Sequence, residues 1–266
     1  VLATGRLRDA EEWLAKALEL ESENAVARHH LDSIAKSRQD ALASPYYREY
    51  MTLRPIYMDY PRRISIETVG RCNATCDFCP QGKLERRFTG MPDDLFDKII
   101  ADLTEIPREV PITIMPNLVN EPFMDRQILD RLEAINSALP QAALHIFTNF
   151  NVLPRNFFER IPAIRNIHTI NVSFNAANVE EYERVMGIDF ERTVANLKRF
   201  MAENRERRLL SGPFILSRVA DLTERDADYE PQCEALFEGF VKGEDYLSHV
   251  KNRTNWLGNV ATSQSQ

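Results

Sequence analysis

Apolar side chains recur at Leu7, Ala10, Leu14, Ala17 and Leu18, and again at Ala25, Ala27, Leu31, Ile34 and Ala35, close to the 3.6-residue period of an amphipathic helix. Ser22-Glu-Asn24 interrupts the run, so residues 5–40 are predicted to form two helices joined by a tight turn. From residue 62 the pattern changes. Apolar runs at 63–70, 111–118, 143–149, 168–175, 213–220 and 246–251 read as strands, and helical periodicity fills 93–106, 125–139, 155–161, 178–207 and 229–242. Asp93 and Asp94 behind Pro92 mark a helix start, and Pro140 marks a stop. Strands that alternate with helices predict a parallel sheet, and the few polar residues inside each strand predict burial on both faces. The expected fold is α/β: a partial (βα)6 TIM-like barrel preceded by a small α-helical segment. The expected boundaries are 1–44 for the helical segment, 45–61 for a linker rich in tyrosine, 62–256 for the barrel and 257–266 for a polar tail.

Active residues in such folds collect at the carboxyl ends of the strands. Here polar residues stand at five successive predicted strand ends. Cys72, Cys76 and Cys79 follow the first, and Asn120-Glu121-Pro122 the second. Thr148-Asn149 closes the third, Ser173-Phe-Asn175 the fourth and Ser217-Arg218 the fifth.

The cysteines carry the sharpest chemistry. Three of the chain's four fall within eight residues, in a C-x3-C-x2-C spacing that is no disulfide framework. A [4Fe–4S] cube has four irons, so three thiolates from one loop leave one iron open to a small molecule. Structural zinc wants four closed ligands, and His29, His30, His145, His168 and His249 all lie far from the loop in sequence. A zinc-stabilised scaffold stays as an alternative. Cys233, on a predicted helix, is expected to be a small buried residue, and His145 and His168 to be structural.

Composition narrows the partners. A net charge of −7, with no basic face, argues against nucleic acid; the one cationic run, Arg205-Glu-Arg-Arg208, is broken by an acid. No run of 18 apolar residues exists and no signal pattern opens the chain, so a soluble, cytoplasmic protein without a membrane partner is expected.

On these residues the chain resembles the radical S-adenosylmethionine superfamily over roughly residues 60–255. The match is strongest at Cys72-Asn73-Ala-Thr-Cys76-Asp-Phe78-Cys79-Pro80, including the aromatic residue before the third cysteine. The resemblance implies that Cys72, Cys76 and Cys79 ligate one [4Fe–4S] cluster, whose open iron takes the amino and carboxylate groups of S-adenosylmethionine, with Phe78 near the adenine. Asn120-Glu121-Pro122 stands where the family has a Gly-Glu-Pro-like stretch that holds the methionine amino group; Asn120 replaces the glycine and Glu121 is kept. Thr148-Asn149-Phe150 stands where the family often reads Thr-Asn-Gly, Ser173 matches a position used toward the ribose, and Arg218 is a candidate for the methionine carboxylate. The implied chemistry is reductive cleavage of S-adenosylmethionine to methionine and a 5′-deoxyadenosyl radical that abstracts a substrate hydrogen. It needs a reductant such as a flavodoxin or ferredoxin.

Two further resemblances concern the ends. Gly5-Arg-Leu-Arg-Asp-Ala10 through Leu20 is similar to the second helix of a tetratricopeptide repeat, and Asn24-Ala-Val-Ala27 to the start of the next. Ser22 takes the place of the usual proline. Trp256-Leu-Gly-Asn259 resembles the passage into a cysteine-rich extension with auxiliary clusters, and no such cysteines follow, so the expectation is either a protein that works with one cluster or a truncated relative of those members. Repeats often bind peptides and the extended enzymes often modify them, which favours a peptide or small protein as substrate. An interaction protein that binds cluster and cofactor without turnover, or an inactive fragment, is the competing reading.

Overall fold

Six strands pair in parallel and in sequence order, β1-β2-β3-β4-β5-β6. They are β1 (Arg63–Ser65), β2 (Ile112–Met115), β3 (Ala142–Thr148), β4 (Ile167–Ser173), β5 (Phe214–Val219) and β6 (Leu247–Lys251). In this computed structural model residues 7–43, 60–85, 90–221 and 223–251 are described. The chain divides into the units Val1–Tyr60 and Pro61–Gln266. The predicted tyrosine-rich linker up to residue 59, the 257–266 tail and the stretch Trp256-Leu-Gly-Asn259 lie outside the described residues.

The first unit is a helical hairpin of α1 (Leu7–Leu20) and α2 (Ala25–Ala43). Asn24 starts α2 by accepting the Ala27 N–H on its side chain at 2.9 Å. Ala27 and Ile34 are buried, whereas Trp13, Leu20 and Val26 face outward.

In the second unit the helices are α3 (Asp93–Leu103), α4 (Ile128–Ala138), α5 (Phe157–Arg160), α6 (Val179–Met186), α7 (Phe190–Arg207) and α8 (Arg225–Leu236). The predicted single helix over 178–207 is two. Gly187 ends α6 at φ 66°, in the left-handed region that favours glycine, and the Asp189 side chain caps α7 by accepting the Arg192 N–H at 2.7 Å. Helix α8 begins four residues earlier than its pattern predicts and carries Pro231 inside it. Among the described residues no helix is long and apolar enough to cross a membrane.

The strands are not buried evenly on both faces as expected. In β2 and β3 buried residues alternate with half-buried ones, so one face packs against helices and the other faces a hollow. The six strands form an open sheet, with β1 and β6 as its edges. On the packed side Phe123, Phe157, Phe200 and Phe214 surround Phe150, with ring centroids 5.4–6.0 Å away.

Phe150 stands at φ 58° and is fully buried. A left-handed backbone costs a non-glycine residue about 1–2 kcal/mol, while truncating a buried phenylalanine costs about 3–5 kcal/mol. Packing therefore wins, and Phe150→Gly is expected to destabilise the fold by about 2–3 kcal/mol, read as a lower denaturation midpoint in urea. A variant as stable as the parent would show that the ring cluster contributes nothing at this turn.

Candidate active site

A cavity of about 330 Å³ opens at the carboxyl ends of the strands. Cys72, Cys76, Phe78 and Cys79 line it from the loop after β1, and Asn120 and Glu121 from the loop after β2. Asn149 and Ser173 line it from the ends of β3 and β4. The structure thus brings together eight of the nine residues singled out by sequence.

Arg218 is not among them. Successive side chains on a strand point to opposite faces, so Arg218 turns away from the hollow onto the helix side, while its neighbour Val219 lines the cavity. Its guanidinium pairs with Glu181 at 3.1 Å, Asp221 at 2.8 Å and Asp226 at 2.9 Å, and also donates to the Asn175 carbonyl. A fork with four of its five donors so occupied, on the side away from the cavity, is a structural node. Among the described residues the cation that lines the cavity is Lys251 at the end of β6, which sequence reasoning missed.

The cysteine loop is tied down by its backbone and by amides. Thr75 N–H donates to the Met186 carbonyl at 2.9 Å, and Glu121 N–H to the Arg71 carbonyl at 3.0 Å. A Cβ on Gly187 would drive into Thr75 Oγ1, so the glycine that ends α6 also lets the loop sit against it. Asn149 Nδ2 donates to Asn73 Oδ1 at 2.8 Å and lies 3.8 Å from Cys72 Sγ. Asn73 in turn donates to Asn151 at 3.2 Å, and Asn151 to the Asp189 carbonyl at 2.8 Å and Thr193 Oγ1 at 3.0 Å. This chain of amides carries the position of α7 to the first cysteine. Asn73 and Asn151 were not legible as functional residues, because a lone asparagine carries no spacing signal.

The three thiols fit a cluster. Burial pushes Cys72 up to about 11 and raises Cys76 further, with the Cys79 and Cys72 charges adding to the rise at Cys76. Deprotonating neighbouring thiols in such a place needs a cationic group among them, which iron supplies. A single tetrahedral ion would pull its sulfurs to within about 3.8 Å of each other, given Zn–S near 2.3 Å. Among the described residues no group of three or more His, Cys, Asp or Glu converges in that way. The three thiols line one hollow, and three thiolates are what a [4Fe–4S] cube with one open iron takes.

Glu121 is 1% exposed and ties the site together. Its Oε1 accepts from Phe123 N–H at 3.1 Å and Thr148 Oγ1 at 2.7 Å, and its Oε2 accepts from Asn149 N–H at 2.6 Å. A carboxylate has about four lone-pair sites, so one stays available. Burial nevertheless pushes Glu121 up to about 7, outweighing the hydrogen bonds from Asn149, Thr148 and Phe123 that favour the charged form. Asn120 accepts the Leu118 N–H at 3.0 Å and so holds the turn through its side chain. The positive-φ non-glycine residues described are Phe150, Asn156 and Arg208, so this turn asks for no glycine at position 120.

The sequence matches no family model and no curated protein. Solved structures do match. SuiB of Streptococcus suis bound to the precursor peptide SuiA aligns at 14% identity and TM-score 0.59, over 91% of this chain and 56% of that one. SuiB bound to S-adenosylmethionine aligns at 15% identity and TM-score 0.58, over 92% of this chain and 54% of that one. Native anSMEcpe with bound AdoMet and Cp18Cys peptide aligns at 12% identity and TM-score 0.52, over 72% and 50%. This chain therefore spans about half the length of these proteins. At such identities the likeness establishes a shared fold, the α/β architecture on which SuiB and anSMEcpe bind S-adenosylmethionine.

Proposed function

We propose that this chain is a radical S-adenosylmethionine enzyme that acts on a peptide or small protein. The observation that carries the reading is the convergence of three thiols and a buried glutamate on one cavity at the strand ends. The resemblance at Cys72–Pro80 and the fold shared with proteins that bind S-adenosylmethionine support it. Cys72, Cys76 and Cys79 would hold a [4Fe–4S] cluster, which when bound supplies the electron that breaks the sulfonium C–S bond of S-adenosylmethionine.

The chain's own residues do the rest. The remaining lone pair of Glu121 accepts the methionine ammonium, a charge-assisted bond to a carboxylate that is itself buried. Ser173 offers a hydroxyl to the ribose and Phe78 an apolar face to the adenine, while Asn120 and Asn149 fix the turns that carry Glu121 and Cys72. Holding the reacting carbon close and excluding water is the protein's share of such chemistry.

The peptide preference draws on the precursor peptide bound to SuiB and the peptide bound to anSMEcpe. The first unit, as a tetratricopeptide-like hairpin with Trp13, Leu20 and Val26 exposed, offers apolar surface suited to a peptide or a neighbouring repeat. A flavodoxin or ferredoxin would supply the electron.

Anaerobic reconstitution with iron and sulfide, followed by reduction with S-adenosylmethionine present, is expected to yield 5′-deoxyadenosine by mass spectrometry. Absence of that product from protein carrying a full cluster would sink the enzymatic reading.

A further inference from the structure

Phe147, Ser173, Val219 and Lys251 all line the cavity from their strands, which fixes the face of the sheet that forms the hollow. Side chains two and four residues earlier in each strand share that face. Through the pairing register it comprises positions 63 and 65, 113 and 115, 143, 145 and 147, 169, 171 and 173, 215, 217 and 219, and 247, 249 and 251. None of these positions is Asp or Glu, in a chain with 40 acidic residues against 33 basic ones. The face instead carries Arg63, His145, His249 and Lys251.

Their placement is not scattered. Arg63 stands on edge strand β1, and His249 and Lys251 on edge strand β6, so cations flank the open side of the sheet. At the foot of β3 and β4, where the register slips, His168 is the extra residue and stacks on His145 with ring centroids 5.2 Å apart. Among the described residues no carboxylate is ion-paired to Arg63 or Lys251. Glu67, in phase with Arg63 just beyond β1, accepts the Val119 N–H at 2.9 Å. Glu230, the carboxylate whose field reaches His249, is paired with Lys242. Lys251 lies within the field of Cys76 at the top of the strip, and Arg63 within that of His145 at its foot. Among the described residues the strands of this face carry no counter-charge, its carboxylates being Glu67 and Glu121 in the loops above it, and such a face selects for one by complementarity.

We infer that this concave face receives an acidic stretch of the substrate peptide, whose carboxylates pair with Arg63 and Lys251 and pass along His145 and His249. The exposed hydroxyl of Ser65 lies on the same face to meet its backbone, while Ser217 is buried and donates to Asn171 at 2.7 Å. The inference rests on the peptide reading of the site and adds the charge of the substrate to it.

The test uses the reconstituted full chain with S-adenosylmethionine and two fluorescein-labelled peptides of equal length, one of repeating Gly-Glu-Ser units and one of Gly-Gln-Ser units. The glutamate peptide is expected to bind about tenfold tighter by anisotropy, an advantage that shrinks with added salt. Arg63→Gln combined with Lys251→Gln should remove the preference. Arg126→Gln with Arg165→Gln, which remove the same charge off this face, should keep it. Equal affinities, including no binding of either peptide, would overturn the inference, as would a preference that survives the Arg63 and Lys251 changes. Affinity for S-adenosylmethionine on the same samples reports separately on the proposed function. If it is intact while the glutamate preference is missing, only the acidic substrate falls.

Discussion

Cys76→Ala is expected to cut the iron bound after anaerobic reconstitution from about four per chain to well under one, with loss of the visible absorption of the cluster. The size of the effect follows from how little the loop offers in its place. Cys76 is half-buried against Met186, its Sγ lying 3.4 Å from the methionine sulfur, and among the described residues the cavity is lined by no histidine or further cysteine that could step in. The loop cannot slide to recruit one either, because Thr75 N–H is bonded to the end of α6 and Cys79 N–H to the Cys76 carbonyl. Cys233→Ala is the matching control. Cys233 is fully buried on α8 with its thiol pushed up to about 12 by that burial, so its loss should lower stability and leave iron content unchanged. Four irons per chain in the Cys76 variant would defeat the ligand assignment. Zinc without iron in the parent protein would revive the scaffold alternative.

Much of the site was legible because its residues sit where α/β topology places them, at strand ends fixed by alternating strand and helix patterns. The failures have physical causes. Arg218 is a candidate for the ligand by its place at a strand end, but in the structure its neighbour Val219 faces the hollow. A shift of one residue reverses the direction of a strand side chain, and Arg218 lies among Glu181, Asp221 and Asp226 instead. The same counting, started from Ser173 and carried through the register Ser173–Ser217–His249, would have found Lys251. The helix break at Met186-Gly187-Ile188-Asp189 was also written in the sequence, as a C-terminal glycine followed by an aspartate cap, but the apolar period ran on through it. The expectation of strands buried on both faces failed because an apolar run does not say whether its second face meets helices or a hollow. The amide chain from Thr193 to Cys72 could not have been read at all, since it depends on residues far apart in sequence meeting in space.

Glu121 offers the second large effect. Replacing it with glutamine is expected to weaken S-adenosylmethionine binding by about 10- to 100-fold, the range that loss of a charge-assisted hydrogen bond of about 1.5–3 kcal/mol implies. The cluster should be spared, because Glu121 hydrogen-bonds none of the cysteines. Its acid–base behaviour gives the prediction a second readout. Burial lifts the carboxyl from 4.5 to about 7 in the folded chain. Between those values the folded state holds a proton that the unfolded state has released, so the contribution of Glu121 to stability is full below about 4.5 and is lost as pH rises through about 7. The charged form is thus the costly one without a ligand, by about 3 kcal/mol from the size of the shift. A bound ammonium reverses that balance, so binding must expel the proton whenever the pH lies below about 7. Affinity for S-adenosylmethionine should therefore fall as pH drops from about 7.5 to 5.5, approaching tenfold per unit, and Glu121→Gln should flatten the profile. Glutamine still fills the space but sets an N–H against a donor, Asn149 N–H or Thr148 Oγ1, so some loss of stability is expected in this variant as well. What separates a ligand for the ammonium from a mere cap on Phe123 is the pH profile: a cap alone changes the melting point and leaves the slope of binding against pH where it was.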